Sequence, residues 1–156
     1  MPLTNLEVAT ASSVGLARKV MDYSLTMKKL VDAAKQPGFS IESWEPLARF
    51  VDTRRFERIG NFKEVMSWPE YVRFLTGWAT TSEWECSFRR VTDGDKIVLL
   101  ELEERSSSGG ASNVVNSVSV YEFDDDSRIV HLDIYLQMPL PDPAMLQSYA
   151  SMRLGE

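Results

Sequence analysis

The sequence has very little cysteine and histidine: Cys86 and His131 are the only residues of their kinds among 156. A single thiol excludes an intrachain disulfide and any site that binds a metal through several thiolates. No phosphate-binding loop and no metal-ligand spacing occurs either. We therefore expect neither a cofactor nor a bound metal.

Long apolar runs and a surplus of positive charge are also missing. No run approaches the ~18 residues that a membrane span needs, and the N-terminal stretch MPLTNLEVAT lacks a basic region followed by an apolar one. The net charge of −6 argues against nucleic acid, whose binders concentrate lysine and arginine on one face. We expect a cytoplasmic protein with no membrane or nucleic-acid partner.

What is present is typical of a globular domain, with 44% hydrophobic and 26% charged residues. A length of 156 residues is enough to bury an ordinary hydrophobic core without stabilising disulfides or metal ions. We expect one domain over residues 1–156 with its core at about 14–138, after a loose lead-in, or a short extra turn, over residues 1–12.

The first half of the chain predicts helices. Apolar residues recur at three- and four-residue steps from about Ser13 to Lys35, a shorter helix follows Ser40, and Ser67 with Glu70 has capping-box spacing before a third helix. Between the last two, Val51 to Ile59 predicts a charged edge strand. Near the C-terminus, Asp142 is predicted to cap a short last helix.

The second half alternates with a period of two, which predicts long antiparallel strands. Asp93-Gly94 predicts a tight turn, Ile97 to Arg105 a strand, and Ser106 to Ser112 a flexible tip. The stretch from Asn113 to Met138 predicts two long strands joined by an acidic turn. The last strand is expected to point five apolar side chains to one side: Val130, Leu132, Ile134, Leu136 and Met138.

Strands of this length must twist and curve, and their apolar face needs helices to cover it. Helices on one side of an antiparallel sheet define the α+β class. We predict a curved antiparallel sheet wrapped around the N-terminal helices, a cystatin-like α+β cone.

Three segments resemble the nuclear transport factor 2-like superfamily, whose cone-shaped fold includes ketosteroid isomerases and SnoaL-like polyketide cyclases. They are FVDTRRFERIG after the second helix, SWPEYVRFLTGW in the third helix, and VYEFDDDSRIVHLDIYLQ at the end. The resemblance spans roughly Val14 to Met138. It implies a ligand between the concave face of the sheet and the helices.

The resemblance also shows what this chain lacks. The position of the ketosteroid isomerase general base is Arg58, and that of the oxyanion-hole aspartate is Ser119, two residues before Tyr121. An arginine cannot act as a base near neutral pH, because its pKa exceeds about 12. Steroid-type isomerisation is therefore disfavoured, as is scytalone-dehydratase chemistry, which needs paired histidines.

The inner face carries the candidate ligand-binding site. Arg58 stands among apolar residues, where a guanidinium needs a carboxylate partner, for which Asp52 or Glu57 is the candidate, or an anionic ligand. Ser119 and Tyr121 offer hydrogen bonds, as few polar groups in an apolar pocket usually do. The predicted ligand contacts are Arg58, Trp84, Phe88, Ser119 and Tyr121, while alternation also places Cys86, as a buried hydrophobe, and Arg90 on this face.

The outer face carries His131, Asp133 and Tyr135 at alternate positions of the last strand. A histidine–aspartate pair could act as a general base, but the register predicts that these residues lie on the convex side, with Glu101 and Glu103. Resembling proteins often dimerise there, sheet to sheet, so we predict an interface role in a homodimer.

Two functions follow. The first is a SnoaL-like domain that binds a small apolar molecule, polyketide- or steroid-like, in its cone. Any reaction would be a cofactor-independent isomerisation, cyclisation, dehydration or hydrolysis. The catalytic residues are unknown. The second is a non-catalytic dimerisation or partner-binding module. An open cavity of a few hundred cubic ångströms would favour the first.

Overall fold

The protein, described here by a computed structural model over residues 2–156, packs its helices against one curved sheet. None of these helices is long and apolar enough to cross a membrane. The helices are α1 (Leu6–Ala11), α2 (Gly15–Ala33), a 3-10 turn (Ile41–Trp44), α3 (Glu45–Ala48), α4 (Trp68–Ala79) and α5 (Pro143–Tyr149).

The sheet has seven strands in the order β1-β4-β5-β6-β7-β2-β3. Strands β4 to β7 form an antiparallel meander, and β2 joins it parallel to β7. The predicted α+β cone, with an antiparallel sheet wrapped around N-terminal helices, is confirmed. The strands are β1 (Thr4–Asn5), β2 (Glu57–Ile59), β3 (Val65–Ser67), β4 (Glu83–Gly94), β5 (Ile97–Ser108), β6 (Ala111–Phe123) and β7 (Ile129–Gln137).

The core lies between the concave face of the sheet and helices α2 and α4. Each helix buries one stripe, including Val20 and Met21 in α2 and Leu75 in α4, against sheet residues such as Leu100 and Leu132. Every apolar side chain removed from water stabilises the fold, at about 25 cal/mol per Å². The helices therefore stay on one side of the sheet.

The predicted helix starts are confirmed at both capped positions. The Ser67 hydroxyl donates to Glu70 Oε1 at 2.7 Å, and the capping box is complete ahead of α4. Asp142 Oδ1 accepts the backbone N–H of Met145 at 2.7 Å ahead of α5. At the N-terminus, β1 and α1 form the short extra turn over the domain, and α1 buries Leu6.

The predicted edge strand from Val51 to Ile59 is wrong in length and position. Only β2 is extended, and it lies inside the sheet, between β7 and β3. Asp52 Oδ1 accepts the backbone N–H groups of Arg54 and Arg55, which closes a turn before the strand can begin. Phe56 and Arg58 still lie on the inner side, as the alternation predicts.

Two predicted loops are also placed wrongly. The turn between β4 and β5 is Asp95-Lys96, with φ of 55° at Lys96, and not Asp93-Gly94. The flexible tip at residues 106–112 shrinks to Gly109-Gly110, whose φ values of 57° and 83° turn the chain directly from β5 into β6. In both places the cross-strand ladder continues further than the turn residues suggest.

Two bulges reset the alternation of side chains. In β4 the register shifts between Phe88 and Arg90, so Arg90 pairs with Glu101 on the outer face and the prediction that it faces inward is wrong. In the β6–β7 pair the extra residue is Val130, which leaves Ile129 fully buried opposite Phe123. An extra residue in one strand moves all following side chains to the other face. Val130 therefore does not share a face with the other four apolar residues of β7, and the prediction for Val130 is wrong.

Candidate functional site

A cavity of about 340 Å³ lies inside the cone, bounded by the concave face of the sheet and by α2, α4 and α5. Its volume is in the range of small-molecule sites. Aromatic and aliphatic side chains form most of its wall. The cavity brings together all five predicted ligand contacts: Arg58, Trp84, Phe88, Ser119 and Tyr121.

The partner of Arg58 is Glu64, not Asp52 or Glu57. Arg58 Nη1 lies 3.5 Å from Glu64 Oε1, and the two side chains are 13% and 3% exposed. Asp52 instead binds Arg55 at 2.8 Å, and Glu57 faces His131 on the other side of the sheet. The guanidinium in the apolar cone is therefore neutralised within the protein.

Glu64 reaches Arg58 because residue 60 is a glycine. A Cβ at Gly60 would lie 1.6 Å from Glu64 Oε1, so any larger residue would displace the carboxylate. The other carboxylate oxygen accepts the backbone N–H of Phe62 at 2.9 Å, and Lys63 turns the chain with φ of 61°. The short loop between β2 and β3 thus inserts a carboxylate into the cone wall.

The remaining contacts of Arg58 leave part of its hydrogen-bonding capacity unused. Its guanidinium carbon lies 5.1 Å from the ring centre of Tyr71 and 5.9 Å from that of Phe74, which is within cation–π range. Its Nε is buried and has no hydrogen-bond partner, and the hydroxyl of Tyr23 is in the same condition. Buried polar atoms are normally hydrogen-bonded, so these two are unsatisfied donors just beneath the surface of the cavity.

The tyrosines of the cavity stay neutral over the physiological range. Burial raises the pKa of Tyr23 and Tyr121 well above the ordinary tyrosine value, and it also raises the pKa of Tyr71. Neighbouring tyrosines raise the pKa of Tyr23 and Tyr121 further. These hydroxyls can therefore offer hydrogen bonds but cannot act as bases. Ser119 adds a buried hydroxyl from β6.

Glu104 was not among the predicted site residues. It lies on the inner face of β5, and among residues 2–156 it is the one carboxyl group that lines the cavity. The Trp84 indole N–H donates to its Oε1 at 3.1 Å. The signal was present in the sequence, because extending the inward row Val98, Leu100 and Leu102 by one step of two reaches Glu104.

Cys86 is buried, as predicted. Burial raises the pKa of its thiol to about 12, and Glu104 on the neighbouring strand, which is ionised at such a high pH, adds to the increase. Because the thiolate is the nucleophilic form, this residue has no means of attacking a ligand. Within the described part of the chain, no group of three or more His, Cys, Asp or Glu side chains is placed to hold a metal ion.

The predicted interface row lies on the outer face, away from the cavity. His131 Nε2 lies 3.1 Å from Asp133 Oδ1, and its Nδ1 lies 3.8 Å from Glu57 Oε1. Tyr135 is 60% exposed. The three side chains share a face with Glu101, as the alternation predicts; their interface role stays a prediction.

Comparison with solved structures identifies the fold. A protein from Cytophaga hutchinsonii, described as NTF2-like and of unknown function, superposes with a TM-score of 0.53 at 12% identity, over 87% of this chain and 97% of that one. An LEH-like epoxide hydrolase from M. tuberculosis gives 0.53 at 15% identity, over 72% and 84%. A candidate SnoaL-like polyketide cyclase from Shewanella putrefaciens CN-32 gives 0.55 at 11% identity, over 85% and 98%.

The chain therefore has the nuclear transport factor 2-like fold. No protein-family model and no curated protein sequence matches it. At such low identities the comparisons define the architecture, and the chemistry has to be argued from the residues in the cone.

Proposed function

We propose that this protein is a SnoaL-like domain that binds a small, largely apolar molecule in its cone. The observation that carries the proposal is the pair of buried, unpartnered polar atoms, Arg58 Nε and the Tyr23 hydroxyl, in the wall of an otherwise apolar cavity. In a core with no ligand these atoms only destabilise the fold, since each costs about 1–3 kcal/mol when left without a hydrogen bond. A ligand oxygen that displaces the side chains covering either atom would satisfy it.

The ion pair between Arg58 and Glu64 favours a neutral ligand. An unpaired guanidinium would require an anion, but Glu64 already supplies the compensating charge from the protein. Arg58 then acts as a hydrogen-bond donor that orients an oxygen of the ligand, together with Ser119 and Tyr121. Trp84 and Phe88 supply apolar surface.

The chemistry that such a cone supports is cofactor-independent isomerisation, cyclisation, dehydration or hydrolysis of a polyketide- or steroid-like molecule. The surface that lines the cavity offers hydrogen bonds and one carboxyl group, that of Glu104, which are the groups that acid–base chemistry uses. Solved structures with this fold include an epoxide hydrolase and a candidate polyketide cyclase. Steroid-type isomerisation is the least favoured of these reactions, because Arg58 stands where that reaction needs a base.

Thermal denaturation with a ligand library tests the binding proposal. Neutral polyketides, terpenoids, steroids and, for contrast, aromatic acids are added to the protein, because a molecule that binds only the folded state raises the melting temperature. We expect hits among the neutral compounds. The hits should weaken in Ser119→Ala and in the double variant Arg58→Gln/Glu64→Gln, which removes both buried charges together.

The matched control is Arg89→Ala, which removes an exposed arginine from the sheet. It should leave every hit unchanged. Binding that survives in both cone variants, or that is lost equally in the control, would contradict the assignment of the cone.

A second function is supported by the exposed aromatic ring on the outer face. Tyr135 is 60% exposed and lies beside Asn116 on the neighbouring strand β6 and Gln137 on its own strand. We propose that His131, Asp133 and Tyr135 form the centre of a homodimer interface between two sheets. Light scattering at micromolar concentration should report a dimer for the wild type and a monomer for Tyr135→Arg; a wild-type monomer would contradict this proposal and leave the cone untouched.

A further inference from the structure

Glu104, which is partly buried in the cavity lining, differs from the fully buried Glu64 in having no cation partner. Glu64 pairs with Arg58, whereas Glu104 forms no ion pair with any residue in the described range 2–156. The neutral indole N–H of Trp84 donates to it, and the neutral hydroxyl of Ser117 on β6 also faces it. A carboxylate in an apolar wall without a cation is costly, and the usual response is to bind a proton.

The groups that face Glu104 come from four elements and leave its charge uncompensated. Tyr71 on α4, Tyr121 on β6 and Cys86 on β4 are all neutral, because burial raises the pKa of each. Arg58 on β2 is the one cation among them, and Glu64 neutralises it. Burial raises the pKa of Glu104 above its ordinary value, against the opposing effects of the Trp84 N–H, the Ser117 hydroxyl and the Arg58 charge.

We propose that Glu104, in its neutral form, is the hydrogen-bond donor that recognises an acceptor oxygen of the ligand. This rests on the proposed function of the cone as a binding site. The Trp84 N–H occupies Oε1 and fixes the orientation of the carboxyl group, which leaves the second oxygen to carry the proton. The cone then takes neutral molecules with a ketone, ester or ether oxygen.

The same residue excludes carboxylates. A ligand carboxylate would be buried without a free cation, because Glu64 already neutralises Arg58. Once Glu104 loses its proton, like charges at close range also repel strongly in an apolar site. Two probes of nearly equal shape separate these cases: 2-acetylnaphthalene, a neutral ketone, and 2-naphthoate, a carboxylate.

Calorimetric titration of both probes between about pH 5 and pH 9 tests the proposal. In the wild type the ketone should bind more tightly than the carboxylate. Its affinity should fall roughly tenfold as the pH rises and Glu104 loses its proton. In Glu104→Gln, whose amide donates a hydrogen bond at every pH, the affinity for the ketone should stay constant. Glu103→Gln, which changes the adjacent residue on the outer face, is the matched control and should behave like the wild type.

A ligand-free measurement separates failure of this proposal from failure of the proposed function. Infrared difference spectra between the wild type and Glu104→Gln near pH 7 should contain the band of a protonated carboxyl group. Absence of that band, or a ketone affinity with the same pH profile in Glu104→Gln, would overturn the role of Glu104 while the cone remains a binding site. Failure of both probes to bind the wild type would overturn both proposals together.

Discussion

The inner and outer faces of the sheet carry alternate residues of the same strands, yet they hold charge in different ways. On the outer face, Arg90 and Glu101 pair with 55% and 29% of their side chains exposed. On the inner face, Arg58 and Glu64 pair with 13% and 3% exposed. Water can replace either partner in the first pair but not in the second. The inner pair is therefore a fixed part of the wall, and the outer pair is an exchangeable surface contact.

Removing one member of each pair should show the largest contrast. Glu64→Ala leaves the Arg58 guanidinium buried without a counter-charge, so we expect a loss of about 3–5 kcal/mol in the free energy of unfolding. Glu101→Ala should lose about 1 kcal/mol or less. Urea denaturation of both variants measures the difference. Equal losses would mean that the inner pair is as well hydrated as the outer one.

Two adjacent leucines extend the comparison to apolar side chains. Leu100 faces the core and is 1% exposed, while Leu99 faces outward and is only partly buried. Leu100→Ala should lose about 2–5 kcal/mol, and Leu99→Ala about 1 kcal/mol or less. Because the chemical change is identical, a similar loss in the two variants would contradict the register of β5.

The smallest effect concerns how stability depends on pH. The pKa of Glu104 is higher in the folded protein than in an unfolded chain, so its contribution to stability is complete at low pH and is lost as the pH rises through the folded pKa. Glu104→Gln should therefore gain melting temperature relative to the wild type between about pH 4 and pH 8. Glu103→Gln should show no such trend. If the difference in melting temperature between Glu104→Gln and the wild type does not change with pH, the carboxyl group of Glu104 is freely hydrated.

Local patterns in the sequence predicted most of the fold. The capping pair Ser67 and Glu70 marks the start of α4, and period-two alternation identifies the long strands and the inward row Val98, Leu100 and Leu102. These signals depend on neighbours in the chain, which is why they can be read without a structure. All five predicted ligand contacts lie around one cavity for the same reason.

Features that depend on distant contacts were not predictable in this way. The bulge after Phe88 turns Arg90 outward, and no residue of β4 marks where the extra residue is inserted. Glu64 becomes the partner of Arg58 only because the loop between β2 and β3 folds back over Gly60. Charge compensation of this kind is a property of the folded loop and not of sequence spacing.

The loop between β2 and β3 has a mechanical consequence as well as an electrostatic one. Its Phe62 ring packs edge-on against Tyr149 of α5 at 5.0 Å, and Lys63 and Val65 form backbone hydrogen bonds to Gly155 and Arg153. Helix α5 contributes to the cavity wall but buries none of its own residues, so these contacts with the loop help to hold it in place. The loop whose Glu64 neutralises Arg58 thus also helps to hold α5 against the cavity. For the proposed ligand, a change in this loop is expected to alter how fast it enters and leaves the cone as well as how tightly it is held.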